Sequence, residues 1–170
     1  MKILIPLPFL LLIFSAVHSQ KKCAAVVNWR YGAPVLLYDK PNGSVIDQIK
    51  NDSTTEDFLH LDISDQQGQF FFVSISLTVQ KITKEGWIKK ADYIGAYVRK
   101  DAYPMDLVLY KEKNVSEENK IIVKGWTPVL LTIEKYAEDW AFVSTMQNGK
   151  IFNGWILMKD LCANSYSTCN

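Results

Sequence analysis

The residues best suited to nucleophilic and proton-transfer chemistry are two histidines and three cysteines, and their spacing argues against a catalytic site. His18 lies in an N-terminal segment that we expect to be removed, which leaves His60. His60 alternates with Leu59 and Leu61, a pattern that is typical of a solvent-facing residue on a strand. A Cys–His nucleophilic pair requires the thiol beside the imidazole, whereas the cysteines lie near the chain ends. We therefore predict no catalytic residue and no enzyme activity.

Metal and paired-carboxylate chemistry are not indicated either. The sequence has no CxxC or HxxxH spacing of the kind that binds zinc, and no Gly-rich phosphate loop. Carboxylates adjoin one another at Glu56-Asp57, Glu117-Glu118 and Glu138-Asp139. Neighbouring strand residues point to opposite faces, whereas glycoside hydrolysis requires two carboxylates that face each other. We predict solvated charges at these places, no metal site and no cofactor.

The overall charge excludes two classes of partner. The chain has 19 Lys and Arg residues against 18 Asp and Glu residues, and the two signs are interspersed. Binding to nucleic acid or to an anionic membrane depends on a basic surplus. We therefore predict no nucleic-acid partner.

The N-terminus has the pattern of a secretory signal peptide. A basic start at Met1-Lys2 precedes an apolar run from Ile3 to Val17, and small residues at Ala16 and Ser19 predict cleavage after Ser19. The run is shorter than the roughly 20 residues of a membrane-spanning helix, and no second run of that length follows. We predict a protein outside the cytoplasm, periplasmic or secreted, with no membrane span after cleavage.

The cysteines fit an oxidising compartment. Cys162 and Cys169 lie close together near the C-terminus, and we predict a disulfide between them. Cys23 is then the odd cysteine. It could be a free thiol, pair between molecules, or replace one partner of the tail disulfide.

Four segments of the chain recur about 70 residues later, which indicates an internal duplication. The corresponding segments are Leu36–Lys40 and Val108–Glu112, Phe58–Ile63 and Pro128–Ile133, Phe70–Ser74 and Trp140–Ser144, and Gly86–Ile88 and Gly154–Ile156.

Each copy alternates short apolar strands with turn residues. The segment Phe58–Ile63 has the two-residue period of a strand, and Pro41-Asn42-Gly43 and Gln147-Asn148-Gly149 are strong turn signals. We predict an all-β fold with one small barrel or sandwich per copy. The predicted organisation is a signal peptide at 1–19, one domain at 20–99, and a second at 100–170 that ends in the disulfide tail.

The second copy resembles the bacterial SH3-like (SH3b) domain. The resemblance depends on Trp140-Ala141-Phe142-Val143 and on Asn153-Gly154-Trp155-Ile156. The first copy has Phe70 at the Trp position and an insert from Ser74 to Lys84. The resemblance implies two SH3-like barrels in tandem, as in exported bacterial proteins that bind cell-wall peptides or other extracytoplasmic partners. We expect no endopeptidase domain of the kind that many such proteins carry, because the two predicted barrels account for the chain after the signal peptide.

Aromatic residues are the candidate ligand-binding groups, because SH3-type barrels bind extended peptides in grooves lined by aromatic rings. The predicted ligand-binding residues are Tyr38, Tyr110, Trp126, Tyr136 and Trp140. We expect Trp126 in a loop and Tyr136 on the turn before Trp140. We expect Trp87 and Trp155 to cover the core, with the preceding glycine allowing a backbone bend.

The sequence therefore predicts a non-enzymatic binding protein that recognises a cell-wall peptide or a polypeptide ligand through the second copy. An alternative of another class is a protein-interaction factor, such as an immunity or inhibitor protein that blocks an exported hydrolase. A third possibility is an adaptor in an envelope complex.

Overall fold

The computed structural model describes residues 21–99 and 105–164, and their regular structure consists of β-strands with two single-turn 3₁₀ helices. The all-β prediction is confirmed. The predicted signal peptide, residues 100–104 and the predicted disulfide partner Cys169 lie outside the described residues. The strands are β1 (Cys23–Val27), β2 (Val35–Tyr38), β3 (Val45–Ile49), β4 (His60–Gln67), β5 (Phe70–Leu77), β6 (Ile82–Lys89), β7 (Ile94–Val98), β8 (Leu107–Tyr110), β9 (Lys120–Val123), β10 (Leu131–Ala137), β11 (Trp140–Gln147), β12 (Lys150–Leu157) and β13 (Leu161–Cys162).

Twelve of these strands form one continuous antiparallel sheet in the described chain, and β13 pairs with β7 beside it. The order is β3-β2-β6-β5-β4-β1-β7-β10-β11-β12-β8-β9. This order reads the same from both ends if β7 to β12 are equated with β1 to β6. We call β1–β6 the first strand set and β7–β12 the second strand set.

The two strand sets have the same pairing register as well as the same strand order. Phe72 is opposite Trp87, which is opposite Tyr38, and in the second set Phe142 is opposite Trp155, which is opposite Tyr110. Both sets also carry a bulge at the same place, between Ile63 and Asp65 in β4 and between Ile133 and Lys135 in β10. A bulge adds one residue and changes which face the following side chains occupy. The equivalent residues of the two sets therefore have equivalent surroundings.

The two strand sets are joined through β1 and β7. Strand β7 pairs with β10 as β1 pairs with β4, so β7 belongs to the second set by its pairing. The two sets meet where Val26 and Val27 of β1 pair with Gly95 and Ile94 of β7. The apparent insert after Ser74 is mostly strand, because β5 continues to Leu77 and β6 begins at Ile82.

Turn residues of the predicted type connect the strands. Gly68, Asn148 and Gly149 have φ of 55°, 52° and 73°, and Asn42 has φ of 58°. Only glycine and, less readily, asparagine adopt this left-handed region at low cost. The predicted turns after β2 and β11 are therefore confirmed, and Gly68 makes a turn after β4.

One face of each strand set is the apolar core. Alternate residues of β5, namely Phe71, Val73 and Ile75, are fully buried, as are Ala141 and Val143 of β11. Alternation of this kind is what an antiparallel sheet with one covered face requires. The side chains between them point to the opposite face, which we call the outer face.

Two buried polar side chains hold the loops at the ends of the strands. Asn51 donates hydrogen bonds to the carbonyls of Asn28 and Tyr31, both at 3.0 Å, and accepts one from the Leu59 N–H at 2.9 Å. Asp57 accepts hydrogen bonds from the N–H groups of Thr78 and Gln80. These bonds connect the β1–β2, β3–β4 and β5–β6 loops.

Among residues 21–99 and 105–164, no helix has the length and apolar character needed to cross a membrane.

Candidate functional site

Four aromatic side chains cluster on the outer face of the second strand set, and we call them the second aromatic cluster: Tyr110, Trp140, Phe142 and Trp155. The Tyr110 and Trp140 rings meet edge-to-face with centroids 5.6 Å apart, and the Phe142 and Trp155 centroids are 5.3 Å apart. Tyr110 and Trp140 are almost covered, whereas Phe142 and Trp155 are partly exposed. The cluster therefore presents two rings to solvent on a base of two packed ones.

The first strand set carries the equivalent group, the first aromatic cluster: Tyr38, Phe70, Phe72 and Trp87. Tyr38 and Phe70 meet edge-to-face at 5.6 Å, and Phe72 and Trp87 at 5.5 Å. The first aromatic cluster thus has nearly the same geometry, with phenylalanine in the place of Trp140.

A glycine before each tryptophan lets the strands approach closely. A Cβ atom on Gly154 would lie 2.9 Å from both the Leu109 Cβ and the Tyr110 carbonyl oxygen, and a Cβ on Gly86 would lie 3.2 Å from Leu37. These glycines make room for the neighbouring strand, within pairings that run through Gly86 and Gly154 without a bulge. Trp87 and Trp155 also lie on the outer face and do not cover the core, which is filled by Ile88 and Ile156.

Lysine ammonium groups distinguish the second cluster from the first. Lys135 Nζ lies 4.7 Å from the centroid of Phe142 and 5.3 Å from that of Trp155, and Lys113 Nζ lies 5.9 Å from Trp155. These separations fall within the range of cation–π attraction. The position of Lys135, opposite Phe142 after the bulge, is occupied in the first set by Asp65, opposite Phe72. The two clusters therefore match in rings and differ in charge.

A shallow hollow of about 350 Å³ borders the second cluster. Phe142, Lys135, Glu134 and Lys90 contribute to its lining. Burial lowers the pKa of Lys90, the positive charge of Lys135 lowers it further, and Glu134 acts in the opposite direction. The hollow thus combines an aromatic wall with two cations and one carboxylate.

The five residues predicted to bind ligand separate into two groups. Tyr38 lies in the first cluster, and Tyr110 and Trp140 lie in the second. Trp126 is in a loop, as predicted, but it is 7% exposed and packs in the core. Tyr136 is 1% exposed and lies within β10, so its placement on a turn is wrong. The bulge after Ile133 turns Tyr136 towards the interior, an effect that a simple alternation does not reveal.

Tyr136 instead joins the two strand sets. Its carbonyl accepts a hydrogen bond from Gln66 Nε2 at 2.6 Å, and its N–H donates to Gln66 Oε1 at 3.3 Å. Burial raises the pKa of Tyr136 to about 12. Both Trp126 and Tyr136 face the interior and are therefore separated from the outer-face clusters by the sheet.

The groups with nucleophilic chemistry are dispersed. Cys23 is a buried free cysteine, and burial raises the pKa of its thiol to about 12. His60 is half-buried at the start of β4, with Nδ1 3.2 Å from the Ala163 carbonyl oxygen. Within residues 21–99 and 105–164, no three His, Cys, Asp or Glu side chains are grouped as metal ligands.

Sequence reasoning missed a cleft of about 680 Å³ where the two strand sets meet, which we call the junction cleft. Its lining comes from the β1–β2 loop, the β3–β4 loop, β7 and the segment before β10, namely Asn28, Trp29, Arg30, Ser53, Glu56, Phe58, Tyr97, Pro128, Val129 and Leu130. The sequence signal that could have found it is Trp29-Arg30-Tyr31, a cation between two aromatic residues in a segment without strand alternation.

Comparisons with protein families, curated proteins and solved structures found no match to this chain.

Proposed function

We propose that this chain is a non-enzymatic binding protein that acts outside the cytoplasm. Its ligand in this proposal is a cell-wall peptide or another polypeptide, which binds to the second aromatic cluster. In this proposal each strand set is an SH3-like barrel, and the ligand lies on the outer face of the second one.

The observation that carries the proposal is Lys135 over the partly exposed rings of the second cluster, because Lys113 already pairs with Glu138 at 3.5 Å. Aromatic side chains provide large contact areas at low entropic cost, and lysines beside them add attraction for carboxylates. The first cluster has the same rings with Asp65 in the place of Lys135. A ligand with apolar and acidic groups is therefore expected to prefer the second cluster.

A purely structural role for the lysines is the competing interpretation. The aliphatic part of a lysine can shield an aromatic ring from water without any ligand. The two interpretations differ in what a substitution changes. Shielding predicts a change in stability alone, whereas ligand binding predicts a change in affinity that stability does not explain.

The duplication provides a matched pair of variants for the test. Phe142→Ala and Phe72→Ala each remove a partly exposed ring that contacts an equivalent tryptophan. Each protein is tested by co-sedimentation with peptidoglycan sacculi and by capture from an envelope extract. We expect Phe142→Ala to weaken binding about tenfold or more, since hot-spot truncations cost about 2 kcal/mol. We expect Phe72→Ala to bind like the unsubstituted protein.

The two assays also separate the function classes. Sedimentation that depends on Phe142 supports a cell-wall peptide as the ligand. A stoichiometric protein partner without sedimentation supports the inhibitor or adaptor alternative at the same cluster. Equal effects of the two variants, or no binding in either assay, contradict the proposed site.

A further inference from the structure

The junction cleft has the composition of a second ligand site, on different residues from the second aromatic cluster. Trp29 is 48% exposed and Val129 is 39% exposed, although both line a concave surface. Phe58 and Leu130 add apolar area beside them. Exposed large apolar groups that converge in a cleft are typical of binding surfaces.

Arg30 gives the cleft a specific charge. Its guanidinium carbon lies 4.8 Å from the centroid of the Trp29 ring, so the planar cation stacks on an exposed indole. No carboxylate of the described residues forms an ion pair with Arg30. Its charge does reach Tyr97 across the cleft, where burial raises the pKa of the phenol and Arg30 opposes that rise. The guanidinium can therefore still accept a carboxylate partner, in the paired geometry that arginine provides.

Buried hydrogen bonds fix the shape of the cleft around Arg30. Asn51 connects the carbonyls of Asn28 and Tyr31, which flank Trp29 and Arg30, to the loop that leads to Phe58. The Tyr31 ring stacks on Tyr93 with centroids 3.6 Å apart. The loop that carries Trp29 and Arg30 is thus held at both ends before any ligand arrives, which reduces the entropic cost of binding.

We propose that the junction cleft binds a polypeptide carboxylate that is adjacent to an apolar or aromatic side chain, with Arg30 pairing to the carboxylate and Trp29, Phe58 and Val129 covering the side chain. The carboxylate can come from a chain terminus or from an internal aspartate or glutamate, since both present the same group. Glu56 also lines the cleft, so the lining contains one acidic group as well as the cation. This proposal is independent of the proposed function, because the junction cleft and the second aromatic cluster consist of different residues.

The test uses three pools of N-acetylated tetrapeptides with randomised apolar positions. One pool ends in a free carboxylate, one is amidated, and one is amidated with a fixed internal aspartate. Binding to the protein is followed by nuclear magnetic resonance of the Trp29 indole N–H, which Trp29→Phe assigns. We expect the free-carboxylate pool to shift this resonance and the uncharged amidated pool to bind at least about tenfold more weakly. The pool with the internal aspartate distinguishes the two sources of the carboxylate: binding of this pool indicates that an internal carboxylate is sufficient, and its failure to bind indicates that the chain terminus is required.

Arg30→Gln removes the charge, and Lys124→Gln is the matched control because Lys124 is an exposed cation outside the cleft. We expect Arg30→Gln to abolish the preference for a carboxylate, Arg30→Lys to keep part of it, and Lys124→Gln to retain it. Unshifted resonances elsewhere confirm that Arg30→Gln leaves the fold unchanged.

Equal binding of the charged and uncharged pools, or no binding of any pool, overturns the proposal. Phe142→Ala separates this result from the proposed function, because it is expected to leave peptide binding at the cleft unchanged. Loss of the Trp29 shift in Phe142→Ala would place the ligand at the second cluster and would also overturn the junction site.

Discussion

Replacing Asn51 by alanine is expected to destabilise the loops that shape the junction cleft. Asn51 is 8% exposed and makes three hydrogen bonds of 2.9 to 3.0 Å. Each contributes about 1 kcal/mol net, and the loss leaves the N–H of the fully buried Leu59 without its partner. We therefore expect Asn51→Ala to lower the free energy of unfolding by about 3 kcal/mol. At this chain length the expected decrease in Tm is about 6–12 °C.

The assay is urea unfolding followed by tryptophan fluorescence, with a thermal melt beside it. Asn114→Ala is the control, because Asn114 is exposed, and it is expected to change stability by less than about 0.5 kcal/mol. Asn51→Asp sharpens the test. It keeps the acceptor for Leu59 but turns a carboxylate oxygen towards two carbonyls, so we expect a loss at least as large as with alanine. Equal stability of Asn51→Ala and Asn114→Ala would refute the role given to this side chain.

Three further outcomes follow from packing, capping and burial. Gly154→Ala should lower stability by about 1–3 kcal/mol because its Cβ meets the neighbouring strand, whereas Gly32→Ala, which has open space, should change it by less than about 0.5 kcal/mol in the same urea assay. Asp57→Ala should lower the free energy of unfolding by about 3 kcal/mol, because it removes two hydrogen bonds to a buried carboxylate, and Asp57→Asn should lower it less. Equal decreases in the two variants would contradict the stabilising role given to the Asp57 carboxylate. The raised pKa of Cys23 means that the folded state keeps its proton above pH 9 while the unfolded chain loses it. Stability should thus fall between pH 9 and about 12, and less steeply in Cys23→Ala when unfolding is measured across that range.

Local patterns in the sequence were sufficient to predict the strands, the turns and the duplication. The matched segments around Tyr38 and Tyr110, and around Trp87 and Trp155, occupy equivalent positions in the sheet. These features depend on residues close together in sequence, where period and turn chemistry act. The all-β fold follows from the same patterns.

The joining of the two strand sets and the interior position of Tyr136 could not be predicted in this way. Strands β1 and β7 pair across about 70 residues, and their sequences Cys23–Val27 and Ile94–Val98 share only small and β-branched residues. One bulged residue in β10 is sufficient to exchange the faces of Lys135 and Tyr136. The junction cleft depends on segments from four places in the chain, one of them strand β7, so no single segment contains its pattern.

The equivalence of the two aromatic clusters also bears on how such a chain diverges after duplication. Both copies keep the rings and the glycine that lets the strands approach, which are requirements of packing. The charges beside the rings, Lys135 and Asp65, have no such requirement because both side chains are exposed. We therefore expect the two copies to differ in ligand binding because of the charges at these two positions, and not because of their aromatic rings.

The most direct test of the central claim compares opposite charge changes at these equivalent positions. Lys135→Asp gives the second cluster the charge of the first, and Asp65→Lys does the reverse, while neither removes a ring. We predict that Lys135→Asp weakens sedimentation with peptidoglycan sacculi, or capture of the envelope partner, about tenfold or more, and that Asp65→Lys leaves it unchanged or stronger. Equal binding by the two variants would contradict the claim that the lysine-bearing second cluster is the ligand site.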